Sequence, residues 1–287
     1  MRKGFWWLML ATLLWSGNYV AGRFLSNQIP PLTLNAVRWV ISSIILLVMV
    51  RLSGRRVPWS QWHHLLILGF LGMFAFSSLT YIGLKTVSAA QAGIISGTMP
   101  VLIMVSSVII LRDRPQRLAW LGVGLSVIGV SFIVGNRGQT HTPLSGGDLE
   151  LIGAAMAWSL YTVLAKKWGQ SMDALTLTAG AALIGALFSV TASIWTWHPH
   201  AIHLTSTGIL AVTYISTAAS VIAYVAWTVG VSRVGAALSG PFMNLLPVWT
   251  LLLGMSLLHE SISVAELIGG TLTVSGAILA GRPTKGR

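Results

Sequence analysis

The chain predicts an all-α integral membrane protein, with ten transmembrane helices forming two inverted five-helix repeats. Three observations predict it: an extreme apolar composition, uncharged runs of bilayer-spanning length, and a sequence that repeats itself. Hydrophobic residues make up 54% and charged residues 8% of 287 positions, with a mean hydropathy of +0.77. That leaves too little polar surface to enclose a soluble core. A bilayer's hydrocarbon core takes about 20 apolar residues per helix, and ten such runs lie between charged, Pro-rich or Gly-rich breaks.

The spans are read as 5–24, 32–50, 64–84, 87–111, 117–135, 149–166, 173–195, 205–231, 236–258 and 262–281. Arg2 and Lys3 before the first run imitate a secretory signal, but the run is longer than an h-region and no convincing small-residue site closes it. It is read as a retained helix. Trp6, Trp7, Trp59, Trp62, Trp120, Trp168, Trp195 and Trp197 fall near span ends, where an amphipathic indole suits the headgroup boundary.

The net charge of +12 does not point to nucleic acid, because the basic residues are dispersed between spans instead of gathered on one face. With a cytoplasmic amino terminus, fourteen of the eighteen basic residues fall at inner span ends, leaving Arg23, Arg38, Lys85 and Arg137. This is the asymmetry of the positive-inside rule, and it places both termini in the cytoplasm. The absence of cysteine excludes disulfides and thiolate metal sites.

The repeat is visible residue by residue. Gly83, Val87, Ala89, Ala90, Gly93, Pro100, Gly122, Leu125, Val127 and Gly129 recur 147 positions later as Gly230, Val234, Ala236, Ala237, Gly240, Pro247, Gly269, Leu272, Val274 and Gly276. In the first helix of each unit, Ala11, Trp15 and Ser16 recur as Ala154, Trp158 and Ser159, at an offset of 143. Five spans per unit is an odd number, so the second unit enters the membrane from the opposite side. The domains expected are a first repeat over 1–136, a Gly-, Thr- and Pro-rich linker over 137–147, a second repeat over 148–281 and a tail over 282–287.

The paired Trp-Ser, the stretches SAAQAGIISGTMP and GAALSGPFMNLLP, the turns RDR and HES, and the glycine-bearing helix after each turn resemble the EamA family of the drug/metabolite transporter superfamily. The resemblance covers nearly the whole chain. It implies a bacterial ten-helix inner-membrane carrier exporting or exchanging small metabolites, without choosing the cargo. Small multidrug resistance proteins of that superfamily centre proton-coupled cation export on a glutamate in the first helix; span 5–24 has none. That favours facilitated export or exchange.

Polar and aromatic residues collect in particular spans: Trp15, Ser16, Asn18 and Tyr19; Ser77, Ser78 and Tyr81; Gln91, Ser96 and Thr98; Trp158, Ser159, Tyr161 and Thr162; Tyr214, Tyr224 and Trp227; and Asn244. An amide facing lipid is costly, so these should point to a partner helix or a pocket. Read together, they suggest a chamber that stacks a ring and hydrogen-bonds an amino-acid-like solute, with Trp15, Asn18, Tyr19, Arg38, Ser77, Tyr81, Gln91, Trp158, Tyr161, Tyr214, Trp227 and Asn244 as substrate-binding residues. Arg38 lies about 9 Å inside its span. Two readings stay open for it: snorkelling or a structural bond, and recognition of a substrate carboxylate.

Pro100 and Pro247 fall within their spans, where a residue without an N–H bends a helix and frees the carbonyls of Ser96 and Met243. Ordinary packed kinks explain them, as does gating; with Gly93 and Gly240 they form the expected hinge set. The small-residue stripes Ala89-Gly93-Gly97 and Ala236-Gly240 let backbones approach, either for static packing or for sliding. All six acids fall at span ends or in loops. His198, His200 and His203 read as a solvated loop, and Gly122, Gly124 and Gly129 miss the dinucleotide spacing. No metal, cofactor or catalytic constellation is therefore expected. The expected partners are a small-molecule substrate and the lipid bilayer, without nucleic acid; the oligomeric state stays open.

Overall fold

The computed structural model describes residues 2–112, 117–135, 145–168, 173–196, 202–234 and 240–280. Within them the ten spans appear as ten helical segments. These are α1 (Arg2–Leu25), α2 (Pro31–Leu52), α3 (Trp59–Gly83), α4 (Ala89–Leu111), α5 (Arg117–Gly135), α6 (Gly146–Trp168), α7 (Ala174–Trp195), α8 (206–234), α9 (240–258) and α10 (Val264–Ala280). Trp197, His198, His200, Asp113, Arg114, Arg137, Ala236, Ala237, linker positions 137–144 and the tail lie outside the described residues.

Six described helices are long and apolar enough to cross a membrane, and 117–132, 242–258 and 264–279 are shorter apolar helices. Lipid, not water, explains the outer surface, where Ile44, Ile109, Leu121 and Leu187 stand exposed. Trp6, Trp59, Trp62, Trp120 and Trp195 are exposed near helix ends, as interfacial anchors are.

Neighbour relations follow the repeat. α1 packs on α8 and α9 of the second half, while α6 packs on α3 and α4 of the first; α2 pairs with α7, α4 with α9 and α5 with α10. Symmetry extends to single backbone angles: Arg112 (φ 58°) and His259 (φ 53°) are the non-glycine residues with positive φ among those described. They stand 147 apart, and each caps its helix through its N–H, to the Ser107 carbonyl in one case and the Gly254 carbonyl in the other.

The fifth helices cross closely. A Cβ built on Gly129 would meet the Gly269 carbonyl oxygen at 2.6 Å, and one built on Gly276 would meet the Gly122 carbonyl oxygen at 2.5 Å. Only glycine lets these backbones touch. Of the glycines that fail as a nucleotide motif, Gly122 and Gly129 thus lie at the seam between the halves.

The prolines do not kink continuous helices. α4 is interrupted at Gly97 and Thr98, and Pro100 sits in the first turn of its second segment, Met99–Leu111. α9 opens as a 3-10 turn, Gly240–Asn244, before its α-helical part, Leu245–Leu258. A proline is tolerated in a first turn, where its missing N–H has no intrahelical partner to lose. Each break therefore precedes its proline.

The ends of the bundle alternate. At one, the linker end, the His203 N–H donates to the Gln28 carbonyl, Gln91 on α4 donates to Asp148 on α6, and Arg23 donates to the Leu84 and Lys85 carbonyls. At the other lie the start of α1, the end of α10 and the Arg55–Asp173 ion pair (2.7 Å), which joins the α2–α3 loop to the start of α7.

Gly129→Val is expected to lower the melting temperature of the purified protein, by an overpacking cost of about 1–3 kcal/mol. Gly124→Val, where an added Cβ meets nothing within 4 Å, should leave it unchanged. Equal melting of the two variants would contradict the seam.

Candidate functional site

Each third helix contains a π-helical stretch: Gly69–Ala75 in α3 and Ile215–Ile222 in α8. Gly69 and Ser216 are 147 apart, so the irregularity belongs to the repeat. Such a stretch re-phases the helix beyond it and leaves carbonyls needing partners. Asn35 Nδ2 lies 3.3 Å from the Met73 carbonyl and 3.0 Å from the hydroxyls of Ser78 and Ser189. Ser42 donates to the Ser216 carbonyl (2.8 Å) and Ser220 to the Ile215 carbonyl (2.8 Å), five residues back. The re-phased helices present Phe76, Ser77 and Tyr81 from one half and Ser220, Tyr224 and Trp227 from the other.

Arg38 lies between these two helices. It is 3% exposed and points inward, so it does not snorkel toward the headgroups; a structural bond and recognition of a substrate carboxylate are the two readings left. Nε donates to the Ser220 hydroxyl (2.7 Å); Nη1 donates to the Tyr81 hydroxyl (2.8 Å) and, more weakly, to Ser77 (3.4 Å). Tyr81 passes the chain on by donating to Asn18 Oδ1 (2.8 Å). The guanidinium also sits over the Trp39 ring, 4.8 Å from its centroid. Tyr19, next to Asn18 in the chain, is buried beside this network.

An aromatic cluster adjoins it. Trp15 meets Trp227 at 5.4 Å, Tyr224 at 5.5 Å and its own repeat-mate Trp158 edge-on at 6.3 Å. Trp158 also meets Phe76 at 4.9 Å and Tyr161 at 5.2 Å. Five of the rings, Trp15, Phe76, Trp158, Tyr224 and Trp227, are half-buried rather than sealed. A Cβ on Gly72 would meet the Tyr161 ring at 2.5 Å, so this glycine lets α3 approach that ring.

The two breaks and the two Trp-Ser pairs meet across the halves. Ser16 on α1 donates to the Leu246 carbonyl on α9 (3.0 Å), and Ser159 on α6 to the Met99 carbonyl on α4 (3.5 Å). Met99 and Leu246 are themselves repeat-mates, each directly before its proline.

The structure thus gathers Trp15, Asn18, Tyr19, Arg38, Ser77, Tyr81, Trp158, Tyr161 and Trp227 of the expected residues. Gln91 is engaged elsewhere, bonded to Asp148 (3.0 Å) at the linker end. Tyr214 donates to the Leu14 carbonyl (2.8 Å) and packs on Gly17, as a helix-to-helix contact. Asn244 is buried at the α9 break with no hydrogen-bond partner for Oδ1 among the described residues. Gly93 faces Thr250 on α9, and Gly97 faces the Pro247 ring; Gly240 opens the 3-10 turn.

Sequence reasoning missed Ser220, Phe76 and Asn35 as site builders. One usable signal existed for the eighth span: Ser77 and the already noted Tyr224 are repeat-mates. Asp148, taken as a loop acid, is instead fully buried in the first turn of α6, where Ser145 donates to it through its N–H (3.1 Å) and its hydroxyl (2.7 Å). Both Asp148 and Glu260 grip the start of α4, the latter accepting from the Ala89 (2.8 Å) and Ala90 (3.0 Å) N–H groups.

Comparisons with known proteins agree with this architecture. The sequence profile described as the EamA-like transporter family matches residues 2–135 and 145–282. "Uncharacterized transporter YyaM" of Bacillus subtilis (strain 168) is 30% identical over 220 residues, 75% of this chain and 72% of that protein. "Aromatic amino acid exporter YddG" of Ancylobacter novellus is 27% identical over 168 residues, 56% of this chain and 57% of its own length. A solved crystal structure superposes with a TM-score of 0.70 over 98% of this chain and 96% of its own, at 24% identity, and shares the fold.

Ser16→Ala and Ser159→Ala each remove one bond between the halves, and each is expected to destabilise by about 0.5–1.5 kcal/mol. The 3.0 Å bond of Ser16 should cost more than the 3.5 Å bond of Ser159. Melting curves of the purified variants rank them; the reverse order would mean the longer contact matters more.

Proposed function

Because the chain belongs to the EamA-like transporter family, we propose that it is a secondary carrier that binds a small metabolite between its inverted halves and exposes it alternately to either side of the membrane. Its cargo is an amino acid or a related neutral, zwitterionic or aromatic compound, exported across the inner membrane. The observation that carries this reading is a buried polar network and a half-buried aromatic cluster side by side at the interface of the two repeats. Opposed repeats, related by a pseudo-two-fold axis in the membrane plane, supply two packings of one site, which is what alternating access requires. The relative named as an aromatic amino acid exporter supports the choice of cargo.

In this reading the repeats over 1–136 and 148–281 rock as bodies about the α5–α10 seam. The breaks before Pro100 and Pro247, with Gly93 and Gly240, are where each fourth helix bends. The linker end is held shut by the Glu260 and Asp148 bonds to the first turn of α4; its opening breaks them. A channel or a scaffold with the same helices would show no saturable counterflow.

Proteoliposomes loaded with an effective cargo should show saturable counterflow, and replacing Trp15 and Trp158 together by Ala should reduce it by about tenfold or more through lost ring contacts. Undiminished flux in that double variant removes the pair from the site. Linear, unsaturable flux in the unmodified protein removes the carrier reading.

The basic residues support a terminal end facing the cytoplasm. The chain has no cysteine, so single thiols report on sidedness directly. In intact cells, Cys at exposed Lys85 should react with a membrane-impermeant maleimide, and Cys at exposed Arg56 should react only after permeabilisation. The opposite pattern reverses the orientation.

A further inference from the structure

The scaffold is symmetric but the site is not. Helices α2 and α7 both run 22 residues, so Arg38, eighth from Pro31, corresponds to Ala181, eighth from Ala174. Asn18 in α1 corresponds to Tyr161 in α6, and Ser77 in α3 to Tyr224 in α8. At matched positions the first half supplies a cation, an amide and a hydroxyl, where the second half supplies a methyl group and two phenol rings. A site so divided orients a cargo with one charged and one aromatic end.

The charge of that cargo follows from what Arg38 lacks. Its partners are the hydroxyls of Ser220, Tyr81 and Ser77, and no carboxylate among the described residues pairs with it. The described acids are placed elsewhere: Asp148 on Gln91 and Ser145, Asp173 on Arg55, Glu260 on the α4 amides, Glu266 on Ser263, and Glu150 in the second turn of α6 at the linker end. A buried guanidinium without a counter-charge is costly, and an intramembrane charge of this kind marks a substrate path. A carboxylate is the planar anion whose two oxygens match its fork.

Spacing links the two ends. Ser220, which bonds Arg38, and Tyr224, which meets both Trp15 and Trp158, lie one turn apart on α8, a rise of about 6 Å. On α3, Ser77 bonds Arg38 while the adjacent Phe76 packs against Trp158 at a tilt. A ring joined to a carboxylate by a short carbon chain spans that step.

Resting on the carrier reading, we propose that the cargo is an aromatic carboxylate, with its carboxylate on Arg38 and its ring against Trp158, Tyr224 and Trp227, and that an α-ammonium is dispensable. No acid is present at the site among the described residues to demand that ammonium. The cargo class is therefore set by the anion and the ring, and reaches beyond amino acids.

The test uses 3-phenylpropionate, phenylalanine and phenethylamine, which differ in their charged groups, measured by thermal stabilisation and calorimetric titration of the purified full-length protein. The two carboxylates should bind and phenethylamine should not. Arg38→Gln should weaken 3-phenylpropionate on the order of 10- to 100-fold, the value of a charge-assisted hydrogen bond, and Arg38→Lys should recover part of the loss. Tyr81→Phe, which keeps the ring and removes one hydroxyl from Arg38, provides a second reading if the glutamine variant does not fold; it should weaken the same ligand by about threefold or more. The proposal is overturned if phenethylamine binds as well as 3-phenylpropionate, if only phenylalanine binds, if neither acid binds, or if both folded variants retain full affinity. Saturable counterflow of another solute alongside any of these failures would leave the carrier reading standing and remove this cargo alone.

Discussion

Inside a bilayer every backbone N–H and carbonyl needs a partner within the protein, and the organisation of this chain follows from that constraint. Regular helices satisfy it locally. The irregular stretches do not, and there the partners come from neighbouring helices, several of them across the repeat interface. The carbonyls before the two prolines meet Ser16 and Ser159 of the opposite halves, the π-helical stretch of α8 meets Ser42 of α2, and the first amides of α4 meet Glu260 beyond α9. Irregular backbone is tolerated at these places because the other half completes it. The site grows in the same places, since a re-phased helix is what turns Ser77, Tyr81 and Ser220 toward Arg38.

Symmetry and asymmetry divide the work between scaffold and site. The features that must match for two halves to pack in opposed orientations are retained at single-residue resolution: the αL caps at Arg112 and His259, the Gly122/Gly129 and Gly269/Gly276 seam, and the Trp-Ser pairs. The interior positions have diverged. Selection for packing acts equally on both copies, because a bulky residue at the seam clashes whichever half carries it. A ligand presents different chemistry to the two halves, so nothing holds Arg38 and Ala181 alike.

The sequence made the scaffold legible because hydropathy and small residues have fixed spacings that survive duplication. Ten spans, their inversion and the seam glycines could be read from offsets of 143 and 147. The π-helical stretches could not: neither Gly69–Ala75 nor Ile215–Ile222 contains a proline, and an i to i+5 bond leaves no compositional trace. Arg38 shows why site geometry is harder still. Its depth of about 9 Å permits either a turn toward the headgroups or a turn inward, and the deciding partner, Ser220, lies 182 residues away. The Gln91–Asp148 bond is hard to read for a complementary reason, since Asp148 falls at the junction of linker and span in the sequence but lies in a buried helical turn.

The polar ties at the linker end set the energy scale on which the proposed carrier must work. Glu260 accepts two charge-assisted bonds from the start of α4, where the helix dipole also favours an anion. Each such bond is worth roughly 1.5–3 kcal/mol when buried, and a partly exposed carboxylate stays near the lower bound. Asp148, fully buried, adds one more through Gln91. Together they amount to a few kcal/mol, the same order as the roughly 5.5 kcal/mol needed to invert a two-state population. In the proposed carrier these ties would contribute to holding that end shut, at a cost within reach of the differential binding of a single cargo. The same end also buries apolar side chains from both halves, among them Leu25, Ile29, Leu34, Leu84, Leu151 and Val212, so opening it exposes apolar area as well, at about 25 cal/mol per Å². In the proposed carrier the close-packed glycines at the seam would keep the halves together through the motion, while the polar ties and apolar contacts at the rim would hold one side closed.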